Sequence, residues 1–236
     1  LWAEHWDAKT DDLPNIKNEI LVKTLEALGI DIPDELSQKY KKKQEVNVQA
    51  YELLMKGKYA YLNAKSASDL DISAALFKQA FEEQPNYITA RNYYANILFR
   101  LKKYEDAINS LEEAENIGKK SKDELGLCQI YNTFGIIYKQ MGKYSKAINY
   151  LKEGLRLATN LEQLRKEAQI LNTLGQCYTN MTNPEKAIDF LKRSIKIKRQ
   201  LDRPIEVANS LGNLALAYRR IGDYAKSISL WEESIE

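Results

Sequence analysis

Apolar and small side chains recur with a fixed spacing over the second half of the chain. One set returns after 40 residues and again after another 40. Its members are Tyr131, Phe134, Gly135, Tyr138, Ala147 and Leu151, then Leu171, Leu174, Gly175, Tyr178, Ala187 and Leu191, then Leu211, Leu214, Ala215, Tyr218, Ser227 and Trp231. Steps of three and four residues place such side chains on one face of a helix. Because three copies hold one period, the pattern predicts a series of repeated helical units.

The residues between the apolar positions predict two helices in each copy. Gly142 and Gly222 lie where a first helix must end and the chain must turn. In the middle copy Pro184 stands at this place, where it can open the second helix. Gly175 and Ala187 are small at positions that face the core, so the two helices of a pair are expected to approach closely.

This pattern resembles that of the tetratricopeptide repeat family, W-x-x-L-G-x-x-Y followed by A-x-x-x-F. The resemblance implies an all-α fold, a right-handed solenoid of antiparallel helix pairs. It also implies that the first helix of each pair lines a concave face, on which a protein or peptide partner binds. No strand is expected beyond the first few residues of the chain.

The period divides the chain into an N-terminal segment and an array. Residues 1–45 are interpreted as a helical segment and connector that ends an upstream domain. The array is predicted over 46–236, with about five repeats at 46–85, 86–120, 121–161, 162–203 and an incomplete 204–236. The early period, from Ser73 to Ala107, is 34 residues and the later one is 40. The extra residues must lengthen helices or loops, and loops at 119–123, 159–163 and 202–204 are expected.

The first ninety residues resemble a second group of proteins. The segments LWAEHWDA, DLPNIKNEI and EALG, and the stretch from Ala50 to Tyr87, are similar to the region that accompanies tetratricopeptide arrays in bacterial adenylate or guanylate cyclases and related signalling regulators. The resemblance implies a multidomain signalling protein whose output domain lies outside this chain. It carries over no catalytic residue. Since the chain begins Leu1-Trp2, we expect it to be a fragment.

Composition and charge exclude several classes of function. The chain has 236 residues, 44% of them hydrophobic, and a net charge of +2, which gives no general attraction to nucleic acid or membranes. No apolar run approaches the roughly 20 residues of a membrane helix, and no secretory signal is visible. The segment 184–226 carries a net charge of +5, but aromatic side chains for base stacking are not interleaved with its densest part. A solvated outer helix face is therefore favoured.

Reactive groups are few. Cys128 and Cys177 are interpreted as free and buried, which suits a reducing, cytoplasmic compartment. His5 is the single histidine, so no metal or cofactor is expected. There is no glycine-rich phosphate loop and no nucleophile elbow, and the fragment is therefore predicted to be non-catalytic.

The candidate ligand-binding residues lie one step off the buried face of the first helices. They are Asn92, Asn96, Asn132, Ile136, Lys139, Asn172, Gln176, Asn213, Arg219 and Arg220. Asparagine is unfavourable inside a helix, yet its amide can pair with the main chain of an extended peptide. The alternative is that these amides hydrogen-bond across helices or to ordered water. With only three cations in the set, a clamp for a terminal carboxylate is not favoured.

Besides an enzyme whose site the sequence does not reveal, two functions remain open at this point. The first is a protein- or peptide-binding module of a bacterial signalling protein. The second is a structural or dimerisation scaffold for an output domain, such as a nucleotide cyclase, outside the chain. The last helix presents Ile228, Leu230, Trp231 and Ile235. We expect these side chains to be covered by further repeats in the natural protein, or to cause self-association of the fragment.

Overall fold

The computed structural model describes residues 47–235, and the predictions for residues 1–45 lie outside this range. The chain divides after Pro85 into two compact units. All regular secondary structure in the described range is α-helical, which confirms the predicted all-α class. The predicted repeat bounds are not tested directly and stay a prediction.

In the described part of the first unit, residues 47–85, the helices form one pair, α1 (Val48–Asn63) and α2 (Ala67–Glu83). Helix α2 begins with a capping box, in which Ser66 accepts from the Asp69 amide and the Asp69 side chain accepts from the Ser66 amide. The two helices pack closely because Gly57 has no side chain. A Cβ at Gly57 would lie 2.8 Å from the ring of Phe77.

The second unit contains four helix pairs, in which the helices have 10 to 18 residues. They are α3 (Ile88–Arg100) with α4 (Tyr104–Ser121), α5 (Glu124–Gln140) with α6 (Tyr144–Asn160), α7 (Leu164–Asn180) with α8 (Pro184–Gln200), and α9 (Pro204–Arg220) with α10 (Tyr224–Glu233). Helices α5 to α9 have 17 residues each. Short connectors join them, so the 40-residue period comes from long helices. Of the two places predicted for the extra residues, helices and loops, the helices hold them, and short turns lie at or next to the predicted loop positions 119–123, 159–163 and 202–204.

Left-handed backbone at one residue allows these connectors to be short. Gly142 and Gly222 have φ of 71° and 82°, which confirms that they end the first helices as predicted. Glu162, Thr182 and Asp202 adopt similar values of 51° to 54° without being glycine. The chain can thus reverse direction within three residues at each junction.

Small residues set the distance between paired helices. A Cβ at Gly135 or Gly175 would lie 2.4 Å from Cγ of Leu151 or Leu191, respectively. The core between the helices is formed by the predicted apolar face, with Phe134 and Leu174 fully buried.

Within the second unit the helices form two layers. Each odd-numbered helix contacts its partner and also the next odd-numbered helix, in the order α3, α5, α7 and α9. We call these four the inner helices, and α4, α6, α8 and α10 the outer helices. The predicted binding residues lie on the inner helices.

Candidate functional site

Two of the asparagines on the inner helices are bonded to the following inner helix. Between α3 and α5, Thr133 Oγ1 donates to Asn92 Oδ1 over 2.8 Å. Asn96 Nδ2 donates to the Asn92 carbonyl at 2.8 Å and lies 3.5 Å from Thr133 Oγ1. Between α7 and α9, Asn172 Oδ1 accepts from Ser210 Oγ at 2.9 Å and from Asn213 Nδ2 at 3.1 Å.

The third asparagine at this repeat position differs. Asn132 Oδ1 is buried and has no hydrogen-bond partner among the described residues. The hydroxyl that could have reached it belongs to Thr173, which donates to the carbonyl of Gln169 within its own helix at 3.0 Å. The amides therefore pair at the first and third inner junctions and not at the second.

A groove opens on the inner helices beside these amides. Its volume is about 420 Å³, and its lining residues come from α5, α6, α7 and α9. They are Lys139, Gln140, Tyr144, Gln176, Thr179, Asn180, Asn213 and Leu216. Three of the predicted residues thus lie together, and all three are polar.

Lys139 provides the charge in the groove. Its Nζ donates to Gln176 Oε1 at 2.5 Å, which links α5 to α7. Partial burial lowers the pKa of Lys139 from its ordinary value, while the nearby Cys177 thiol opposes that shift.

The remaining predicted residues do not line the groove. Ile136 is half-buried on α5, and Arg219 and Arg220 are exposed in the last turn of α9. Nearer the start of the inner helices, Arg165 Nη2 forms an ion pair with Glu206 at 3.2 Å.

Lys198 and Ser210 were not predicted from the sequence, although they are linked to the Asn172 and Asn213 amides through Ser210 Oγ. Lys198 is only 5% exposed, and its Nζ donates to Ser210 Oγ at 2.7 Å and to the Glu206 carbonyl at 3.3 Å. Burial lowers the pKa of Lys198, and Glu206 opposes this. A signal was present, because a lysine at a buried repeat position is rare unless it is bonded.

Other chemistry is sparse in the range 47–235. No cluster of three or more metal-binding side chains occurs there. The helices described are all too short or too polar to cross a membrane. Cys128 and Cys177 are buried and unpaired, as predicted.

Comparison with known proteins identifies the repeat. The family described as Tetratricopeptide repeat matches residues 86–160, 126–200 and 166–236. Comparison with curated protein sequences gives no significant match.

Solved structures of this architecture are similar in fold at low sequence identity. BtubC (BKLC) from P. vanneervenii is 17% identical, with a TM-score of 0.63 over 82% of this chain and 91% of that one. Pseudomonas aeruginosa pilF is 13% identical, with a TM-score of 0.64 over 79% and 75%. YrrB, described as a TPR protein with an unusual peptide-binding site, is 16% identical, with a TM-score of 0.52 over 92% of both chains. With its right-handed array of antiparallel helix pairs, the chain belongs to the tetratricopeptide repeat family.

Proposed function

We propose that residues 86–236 form a non-catalytic module that binds an extended segment of a partner protein in the groove on the inner helices. The observation that carries the proposal is the groove itself, which is about 420 Å³ and lined by Lys139, Gln176 and Asn213. Amide and ammonium groups at the surface of a groove can hydrogen-bond a peptide main chain. The peptide-binding site named for YrrB supports the same assignment.

The wider context is part of this proposal. The resemblance of the first ninety residues to cyclase-associated regions supports a larger bacterial signalling or regulatory protein. Two buried, unpaired cysteines support a reducing compartment, the cytoplasm.

A scaffold that joins or dimerises an output domain is the alternative function. Exposed apolar side chains on α10 favour it, since Ile228 and Trp231 are 58% and 45% exposed. A scaffold of this kind would use the end of the array and not the groove.

A matched pair of variants on α9 separates the two functions. Peptides are first selected from a random decapeptide library on the purified chain. Leu216→Arg places a long cation in the groove, and Ile205→Arg places the same side chain at a position that is 79% exposed and outside it. The proposal expects a loss of about tenfold or more in peptide affinity for Leu216→Arg alone, which corresponds to about 1.4 kcal/mol. Equal affinities for both variants, or a library that yields no binder, would contradict it.

A further inference from the structure

Lys198 lies at the junction between α8 and α9, where a charge is unexpected. Its ammonium is almost completely buried, and it donates to the Ser210 hydroxyl and the Glu206 carbonyl, at 2.7 and 3.3 Å. A buried charge is unfavourable unless it is hydrogen-bonded. The buried charge of Lys198 is therefore stabilised by its hydrogen bonds to Ser210 and Glu206.

The repeat shows what stands at this junction elsewhere. Forty and eighty residues earlier, the position of Lys198 is held by Ala158 and Gly118. The position of Ser210 is held by isoleucine at the same two junctions. The small residue and the isoleucine of the earlier junctions are thus replaced here by a long cation and a small hydroxyl. Because apolar replacements of buried charges are often neutral or stabilising, stability alone does not account for the exchange.

Lys198 determines which group donates and which accepts in the adjoining hydrogen bonds. An ammonium has three N–H groups and no lone pair, so Ser210 Oγ accepts from Lys198. The single Ser210 hydrogen is then available for Asn172 Oδ1, 2.9 Å away. The same Oδ1 accepts from Asn213 Nδ2 at 3.1 Å. Asn213 therefore keeps its Oδ1 for other partners, and Asn213 lines the groove.

A second lysine, Lys139, orients the side-chain amide of Gln176 in the opposite sense, with its nitrogen left to bind other groups. Lys139 donates to Gln176 Oε1, which leaves Gln176 Nε2 as a donor. Gln176 and Asn213 are 37 residues apart, the same separation as the bonded pair Lys139 and Gln176. Both line the groove. The groove thus has a donor on α7 and an acceptor on α9.

We propose that Lys198 is a positioning residue, which acts through Ser210 and Asn172 to hold Asn213 with its Oδ1 available to the groove. Together with Gln176 Nε2, this acceptor complements the C=O and N–H that one residue of an extended peptide presents on the same side. The identity of the ligand rests on the proposed function. The assignment of donors and acceptors from Lys198 to Asn213 does not rest on that function.

The direction is tested by two isosteric variants without any ligand. An ionised aspartate only accepts hydrogen bonds. Asn172→Asp keeps the acceptor that Ser210 and Asn213 require, and it is expected to melt at or above the wild-type temperature. Asn213→Asp removes the donor to Asn172 and opposes two acceptors, so its melting temperature is expected to fall by several degrees. Equal losses, or a larger loss for Asn172→Asp, would overturn the assignment.

The consequence for binding is tested at the junction itself. The double variant Lys198→Ala with Ser210→Ile installs the residues of the preceding junction, Ala158 and Ile170. It is expected to retain the wild-type melting temperature while binding the library-selected decapeptide about tenfold more weakly, because the Asn172 and Asn213 amides can then rotate. Unchanged affinity in a folded double variant would overturn the role of Lys198. If the wild-type chain selects no peptide, the proposed function fails, and the aspartate pair still decides the direction of the chain.

Discussion

Asparagines at one repeat position have different surroundings in consecutive copies. Sequence periodicity predicted that Asn92, Asn132 and Asn172 lie on the inner helices, and the structure places them there. Periodicity could not predict their partners, because each partner lies on the next inner helix about 40 residues away. Both Thr133 and Thr173 contact a carbonyl one turn earlier in their own helix, but only the Thr133 hydroxyl also reaches the asparagine of the preceding inner helix.

This difference predicts unequal costs for the same substitution. Asn172→Ala removes the acceptor of Ser210 and Asn213, and it is expected to lower the free energy of unfolding by about 1–3 kcal/mol. Asn132→Ala removes an oxygen that has no partner among the described residues, and a change within about 0.5 kcal/mol is expected. Urea denaturation measures both. Equal losses would show that the hydrogen bonds of Asn172 contribute nothing.

Burial of the cysteines predicts a low thiol reactivity. Burial raises the pKa of Cys177 to about 11, although Lys139 opposes the shift, and burial also raises the pKa of Cys128. Because the thiolate is the reactive form, less of it is present at pH 8 than in an unfolded chain. Maleimide labelling at pH 8 is therefore expected to be slow until urea unfolds the protein. Rapid labelling of the folded chain would contradict the burial of both thiols.

The same shift gives Cys177 a defined effect on stability. The folded thiol titrates near 11 and the ordinary value is 9.0, so the unfolded state loses its proton first. Stability contributed by this group is therefore present below pH 9 and is lost as the pH rises through about 11. When melting is followed between pH 8 and pH 11, the stability of Cys177→Ala is expected to fall less than that of the wild type. Equal losses of stability in the wild type and in Cys177→Ala would contradict the raised pKa of Cys177.

At the scale of elements, helix faces were predictable and connector lengths were not. Steps of three and four residues identified the buried faces, and Phe134, Leu174 and Leu191 are fully buried as expected. The extra residues of the longer period were assigned to helices or to loops. They lie in helices, and Glu162 and Asp202 adopt positive φ in the short turns between them. Non-glycine residues adopt positive φ with a modest strain, and the sequence pattern does not indicate which residues will do so.

Close packing of the helices predicts unequal costs for two glycine substitutions. Gly175→Ala places a Cβ 2.4 Å from Leu191 Cγ, and a net destabilisation on the order of 1–2 kcal/mol is expected after the gain in helix propensity. Gly154→Ala places a Cβ 3.3 Å from Ile170 and Tyr131, which requires a much smaller shift of the neighbours, so a smaller change in stability is expected. Thermal denaturation compares the two. A stabilised Gly175→Ala variant would show that α7 and α8 are less tightly packed than described.

At the scale of the second unit, outer helix α10 has an incompletely covered face. Trp231 packs on one side near Gly212, where an added Cβ would lie 3.1 Å from its ring. Ile228 on α10 and Ile235, two residues after its end, are exposed. Contiguous apolar surface of this kind favours association, and the expected self-association of the chain stays a prediction.

Light scattering over a concentration series tests that prediction. The apparent mass of the wild-type chain is expected to rise with concentration, while Trp231→Lys stays nearer to monomeric because a cation opposes burial of the face. Arg199, which is ion-paired with Glu233 on α10, is left unchanged in both proteins. Identical, concentration-independent masses would show that the face of α10 does not associate.

The central claim, that a partner segment lies on the inner helices, is tested most directly by site-specific photo-cross-linking. Benzoylphenylalanine is placed at Leu216 in the groove or at the exposed Ile205 of the same helix, and the library-selected decapeptide is added. Cross-linking to the peptide is expected from position 216 and not from position 205, and excess unlabelled peptide is expected to suppress it. Cross-links that form equally from both positions, or from position 205 alone, would contradict binding in the groove.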